Sequence, residues 1–266
     1  MGFEHDTAVR RTADGGFEAD IPDERWWVAA GPHGGFVAAI VVNALTAALD
    51  DPARPIRSLT IHYPAAPRVG KLEIAVSVER VGRSTAYLSA RVEQGGRLVA
   101  LALAAFSSAF PGPDFQTAAM PDVPPPEEVE PQRLPGAPRF THNFEYRFAI
   151  GGPPFQEAEH TTSGGWLRLA EPRPLDAPIA ACFTDAWPPA VFWRLSNFAI
   201  VPTIDLTVHF RELPEGYDDF VLATFDSRRE HAGMWEENGE LWSRDGRLLV
   251  QSRQLAAHIP FEATAS

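Results

Sequence analysis

The chain has 266 residues, 45% of them hydrophobic and 11% aromatic, enough to bury a sizeable core in one large domain or two ordinary ones. A formal net charge of -12 argues against a nucleic-acid or anionic-membrane surface, because both need dense positive charge to displace counterions. The single cysteine, Cys182, excludes an internal disulfide.

Met1 to Arg10 lack the basic-then-apolar order of a signal peptide, so a cytoplasmic location is the expectation. The first elements are a strand at Phe17 to Ile21, then Gly31-Pro-His-Gly-Gly35 leading into a helix over Phe36 to Leu49. That helix is apolar on almost every face and so must be buried all round. With Asn43 and Thr46 inside it, the run falls short of the roughly 20 residues a membrane span needs. Alternation predicts strands at Arg57 to Tyr63, Lys71 to Arg80, Ser84 to Glu93 and Arg97 to Phe110, with turns at Val81-Gly82 and Gly95-Gly96 suited to antiparallel hairpins.

Between Pro111 and Pro138, nine of 28 residues are proline and no apolar period survives. Proline lacks a donor N–H and fixes φ, which predicts a stiff, extended connection rather than a packed element. The expected organisation is an N-terminal half over 1–110, a linker over 111–138 and a C-terminal half over 139–266. The second half repeats the plan: strands at Asn143 to Ile150 and Gly165 to Leu169, a helix from Asp185 to about Phe198, then strands at Ile204 to Arg211, Phe220 to Ser227, Ala232 to Trp242 and Arg247 to His258. Asp245-Gly246 is a strong hairpin signal before the last strand.

The register of the two halves can be read by spacing. Leu59-Thr60-Ile61-His62-Tyr63 lines up with Leu206-Thr207-Val208-His209-Phe210, 147 residues later, and Gly96-Arg97-Leu98 with Gly246-Arg247-Leu248, 150 later. Two matches at nearly one offset imply an internal duplication, against chance similarity of two alternating strands.

One long apolar helix per half wrapped by an antiparallel sheet, with these motifs, resembles the bacterial acyl-CoA thioesterase II (TesB-like) double hotdog family. The resemblance rests on Gly34-Gly35, the strand Ser58 to Tyr63, Arg80-Val-Gly-Arg-Ser-Thr85, Trp166-Leu-Arg168, Thr184-Asp185, Thr203-Ile-Asp205 and Asp245-Gly-Arg-Leu-Leu with Gln254. It implies an α+β double hotdog fold and hydrolysis of an acyl-CoA thioester in fatty acid metabolism, with acyl-CoA as the partner. It also implies a catalytic Asp, Thr and Gln that orient and activate a water, here Asp185, Thr203 and Gln254. No cofactor and no metal are expected, and a homodimer is an expectation by analogy with other fused hotdogs. Two departures stand out: Phe36 follows the glycine pair where the family commonly has Gln, and Pro188-Pro189 follow Asp185 closely.

Each of these residues also has a plainer reading. Asp185 is either a general base, its ionised form favoured at a helix N-terminus, or an N-cap. Thr203 is a water ligand or a β-former, and Gln254, on the strand face of Val250 and Ser252, is a water ligand or an edge residue. Gly34 and Gly35 could form an oxyanion hole or permit tight packing, and His33 could bind the ligand or be structural. Arg80 and Arg83, with Arg228 and Arg229 at the corresponding later turn, are the candidates for the coenzyme phosphates, against solvated surface arginines. Trp26, Trp27, Trp166, Trp187, Phe192 and Trp193 could line an acyl channel or fill the core. Cys182 is rejected as a nucleophile for lack of a helpfully spaced His. There is no G-x-S-x-G elbow, and no His/Cys cluster has metal-ligand spacing. Two other functions stay open: a hotdog enoyl-CoA hydratase or dehydratase, and a non-catalytic acyl-CoA-binding protein. Since the carboxylate, hydroxyl and amide fall only in the second half, one active site per chain is expected.

Overall fold

The computed structural model describes residues 2–22, 24–28, 31–134 and 136–260. The first half runs α1 (Phe3–Asp6), β1 (Arg10–Arg11), β2 (Phe17–Ile21), α2 (Gly34–Leu49), β3 (Ile56–His62), β4 (Gly70–Val81), β5 (Thr85–Gln94) and β6 (Arg97–Ser107). The second runs β7 (Phe144–Ile150), β8 (Ser163–Leu169), α3 (Ala177–Phe183), β9 (Ala199–Ile200), β10 (Thr203–Phe210), β11 (Val221–Asp226), β12 (Glu230–His231), β13 (Met234–Trp242), β14 (Leu248–Ala257) and β15 (Ile259–Pro260).

Thirteen of the described strands form one antiparallel sheet in the order β1-β2-β4-β5-β6-β3-β10-β14-β13-β11-β8-β7, with β12 on β13. The two halves join where β3 pairs with β10, and the register there explains the sequence repeat. Thr60 lies opposite Thr207, Leu59 opposite Val208 and Ile61 opposite Leu206, so a local twofold passes between the two threonines. Their hydroxyls are 3.0 Å apart and hydrogen-bonded. The equivalent hairpin glycines, Gly96 and Gly246, both hold positive φ (76° and 88°), which a side chain would resist. The fold is thus the α+β double hotdog, with helices α2 and α3 packed against each other inside the sheet.

Ten residues of α2, from Gly35 to Leu45, are buried, as its all-round apolar pattern requires. Each large aliphatic side chain buried there contributes about 1.5–3 kcal/mol. The second helix differs from the sequence expectation. Nothing helical starts at Asp185; α3 lies before it, capped by Asp176, whose carboxylate accepts the Ile179 N–H at 2.9 Å, with Pro178 in its first turn. After α3 the chain cannot continue as an α-helix, because Pro188 and Pro189 lack N–H donors. Only one 3₁₀ turn, Ala190–Trp193, follows before β9. No described helix is long and apolar enough to cross a membrane.

The proline-rich connection is extended, with one 3₁₀ turn at Pro126–Glu128, but it is not free of packing as its composition suggested. Met120, Val123 and Val129 cover Trp166, Leu222 and Trp242 on the outer face of the second half. Trp166 Nε1 donates to Pro124 O at 2.8 Å, and Arg147 donates to the carbonyls of Pro126 and Val129 at 2.6 and 2.9 Å. Prolines accept but do not donate, so Trp166 and Arg147 supply donors to the strap, while its non-proline residues donate outward, as the Gln132 N–H does to Tyr146 O at 2.9 Å.

Candidate active site

A cavity of about 370 Å³ opens between the start of α2, the segment after α3, the ends of β10 and β14, and the connection between the halves. Asp185, Thr203 and Gln254 all line it, together with His33 and Gly34. Much of the remaining wall is apolar, including Phe148, Phe155, Trp187, Phe192, Val201 and Trp235. Of the six aromatic residues singled out in the sequence, only Trp187 and Phe192 reach it. Trp26 and Trp193 are buried in the core, Trp166 lies under the strap, and Trp27 does not line the cavity.

Asp185 does not sit at the N-terminus of its own helix but just beyond the C-terminus of α3, and it faces the N-terminus of the other half's helix. Its Oδ2 accepts the Gly35 N–H at 2.8 Å, and His33 Nδ1 lies 3.6 Å from the same oxygen. Both glycines are explained by this approach. A Cβ on Gly35 would stand 2.5 Å from Cys182 O and 3.0 Å from Asp185 Cβ, and one on Gly34 would stand 3.1 Å from Asp185 Oδ2. Close packing of α2 against the α3 end is therefore one reason for the pair. Gly35 is not available as an oxyanion donor, since its N–H is committed to Asp185; Gly34 lines the cavity.

Thr203 and Gln254 stand on neighbouring strands, and the Thr203 hydroxyl donates to Gln254 Oε1 at 2.9 Å. Gln254 Nε2 donates in turn to Glu237 Oε1 at 2.6 Å. Glu237 lies directly opposite Gln254 on β13, and its Oε2 accepts the Ala190 N–H at 2.6 Å. Burial pushes the Glu237 carboxyl up to about 8; the Ala190 N–H and the Gln254 amide pull it down, and the Asp185 and Asp226 carboxylates push it further up. Sequence reasoning missed Glu237. The signal was there: in β13 the inward beat is Trp235, Glu237, Gly239, Leu241, and a carboxylate on that beat needs a partner.

Contrary to the sequence expectation, a histidine does lie beside Cys182: His33 Nε2 is 3.7 Å from its Sγ. The thiol is nevertheless fully buried and outside the cavity wall. Burial, with the Asp185 and Asp176 carboxylates, holds it well above the usual thiol range, which disfavours the thiolate. His33 is buried and stacked on Phe140, with ring centroids 4.6 Å apart. Tyr63 closes the same wall by donating to Gly34 O at 2.9 Å; its phenol is pushed up by burial and by Asp185 and Cys182.

The expected phosphate ligands are not brought to the cavity. Arg80 and Arg83 are exposed around the β4–β5 turn, and Arg228 and Arg229 border a separate polar hollow. The arginine that lines the cavity is Arg133, supplied by the connection between the halves.

The comparisons with known proteins agree with this architecture. Residues 23–107 match the model of the acyl-CoA thioesterase N-terminal domain, and residues 116–257 that of the acyl-CoA thioesterase C-terminal domain. The chain belongs to the acyl-CoA thioesterase family. Within that family's fold, a conserved hot dog protein from Alicyclobacillus acidocaldarius superposes with a TM-score of 0.89 at 28% identity, covering 98% of each chain. The acyl-CoA thioesterase II TesB2 from Mycobacterium marinum superposes with a TM-score of 0.80 at 18% identity, covering 98% of this chain and 99% of that one. An uncharacterized protein of Mycobacterium tuberculosis is 26% identical over 272 residues, 90% of each chain.

Proposed function

We propose that the protein hydrolyses an acyl-CoA thioester to the free acid and coenzyme A, with water as the nucleophile. The observation that carries this reading is that Asp185, Thr203 and Gln254 line one cavity whose remaining walls are largely apolar. Among the described residues lining it there is no Ser or Cys to form an acyl-enzyme, which favours direct attack by water.

In this reading Asp185 accepts a proton from the water as its oxygen attacks the carbonyl carbon. The C–S bond then breaks, and the thiolate leaves and takes up a proton. The Thr203 hydroxyl is committed as a donor to Gln254, so its oxygen can accept the second water hydrogen. The second Nε2 hydrogen of Gln254 can donate to the water oxygen and hold its lone pair toward the substrate. Gly34, at the first turn of α2, is the candidate donor to the developing oxyanion. The aromatic wall takes the acyl chain, and Arg133 meets an anionic part of the carrier at the rim. Arg80 and Arg83 have no part in this scheme unless the coenzyme extends beyond the cavity to the first half's hairpin turn.

The test is release of free thiol from butyryl-, octanoyl- and palmitoyl-CoA by the purified protein. Turnover with at least one of these, abolished in Asp185→Asn with the fold intact, supports the reading; turnover undiminished in that variant removes Asp185 from the role. A second reading, hydration of an enoyl-CoA, is favoured by the approach of His33 Nδ1 to Asp185, an imidazole–carboxylate pair at the cavity wall. It is weakened because the other ring nitrogen faces the buried Cys182 rather than a substrate. Loss of crotonyl-CoA absorbance without thiol release would favour hydration.

A further inference from the structure

We infer that Glu237 is a positioning residue of the site: its buried carboxylate decides which way the Gln254 amide faces, and through it whether Thr203 offers the cavity an acceptor or a donor. The inference rests on the hydrolytic reading above for its catalytic consequence, but its structural half stands on the hydrogen bonds alone.

The Ala190 backbone N–H can only donate, and it is aimed at Glu237 Oε2 from 2.6 Å. The other oxygen faces Gln254 at 2.6 Å. An ionised carboxylate can only accept, so the amide nitrogen must turn toward Glu237 and the amide oxygen toward Thr203. The Thr203 hydroxyl must then donate to that oxygen, which lies 2.9 Å away. This order leaves the second amide hydrogen and the threonine lone pairs uncommitted, one donor and one acceptor for a water beside the Asp185 base.

A proton on Glu237 reverses the chain. It cannot sit on Oε2, which already faces the Ala190 N–H, so it occupies Oε1 and requires an acceptor. The Gln254 amide turns over, its oxygen accepts from Glu237, and its nitrogen donates to Thr203. The threonine hydrogen is displaced toward the cavity. A water there meets donors from both residues and finds one threonine lone pair where the ionised form offers two, the other being taken by the Gln254 N–H.

The surroundings of Glu237 put this reversal in the working range. Asp185 from the segment after α3 and Asp226 from β11 are the carboxylates that act on it, with the Ala190 amide and Gln254 the groups hydrogen-bonded to it. Burial sets its titration at about 8. Protonated below that point and ionised above it, Glu237 makes the ionised, high-pH form the hydrolytically competent one.

Glu237→Gln tests the mechanism, because the new side chain must accept from Ala190 with its oxygen and donate to Gln254 with its nitrogen, which locks the reversed order at every pH. Steady-state thiol release from octanoyl-CoA by wild type should rise through a midpoint near 8, after subtraction of spontaneous hydrolysis. Glu237→Gln should be flat with pH and lower in kcat by about 10- to 100-fold at pH 9, the loss of one or two oriented hydrogen bonds, with KM within about twofold. In protein carrying ¹⁵N-labelled glutamine, the Gln254 amide pair, assigned with Gln254→Asn, should shift with the same midpoint in wild type and stay fixed in Glu237→Gln. The proposal is overturned by a wild-type Gln254 amide that ignores pH between 6 and 10. It is overturned equally by an active wild type matched in kcat by Glu237→Gln at pH 9. If wild type releases no thiol, the hydrolytic reading fails by itself, while the wild-type amide titration still decides whether Glu237 orients Gln254; that measurement needs no variant to fold.

Discussion

The two halves share a strand order but differ in their helices and outer faces. In the first, α2 has 16 residues and fills its hotdog; in the second, α3 has seven, and the chain then leaves the helix for the Pro188-Pro189 segment. The shorter helix makes room for a cavity, and Asp185, set free at its end, reaches across to the N-terminus of the longer one. The outer faces diverge in the same way. Trp166, Leu222 and Trp242 lie beneath the proline-rich strap, whereas Leu103 and Tyr87 on the first half stay open, at 56% and 43% exposure. The two copies of the frame thus differ in the length of their helix and in the proline-rich strap packed on the second half's outer face.

The sharpest test of this asymmetry is chemical. Asp185→Asn should lower kcat for thioester hydrolysis by about 10³-fold, within the range general bases contribute, with circular dichroism unchanged. A loss of less than tenfold would return the carboxylate to a purely structural role at the α2 terminus.

The outer faces can be compared by one substitution in each. Leu222→Ala removes a fully buried side chain beneath the strap and should cost about 2–5 kcal/mol in urea unfolding. Leu103→Ala on the open face should change stability by no more than about 0.5 kcal/mol. Equal effects would break the contrast.

The joint between the halves is tested by Gly35→Ala. The added methyl meets Cys182 O at 2.5 Å, and that atom is backbone, so α2 and α3 must separate. The expected loss is about 1–3 kcal/mol, with a fall in turnover as Asp185 is displaced from its N–H donor.

The gentlest effect is a slope. Glu237 has a folded-state value raised to about 8 from an ordinary 4.5, so the folded chain holds a proton that the unfolded chain has lost. Its contribution is therefore fully present below about 4.5 and is lost as pH rises toward 8, by up to about 1.4 kcal/mol per pH unit. Glu237→Gln should remove this slope from urea-unfolding stability between pH 5 and 8, so the difference between the two proteins widens in the variant's favour as pH rises. A difference between the two proteins that stays constant between pH 5 and 8 would contradict this.

Much of the frame could be read from residues close together in the chain. Alternation in Leu72, Ile74, Val76 and Val78 marked β4, and Gly95-Gly96 and Asp245-Gly246 marked their hairpins, because side-chain period and positive φ are local properties. The 147-residue offset went further: it gave the pairing at the centre of the sheet, since two equivalent strands meeting about a twofold must place Thr60 against Thr207. The segment after Asp185 has the apolar, aromatic pattern of a helix, but its two prolines rule one out, and the helix starts instead at the Asp176 cap with Pro178 in its first turn.

The buried helix α2 and the alternation of the strands follow from periodicity and turn chemistry acting over a few residues, and the duplication from one strand pattern recurring 147 residues later. The sequence also named Asp185, Thr203 and Gln254 through their family resemblance. Long-range packing set Asp185 against the other half's helix, Arg133 rather than Arg80 or Arg83 on the cavity wall, and Glu237 behind Gln254. The reason is physical: a hydrogen bond between residues 150 apart depends on which faces two elements turn to each other, and no local period encodes that.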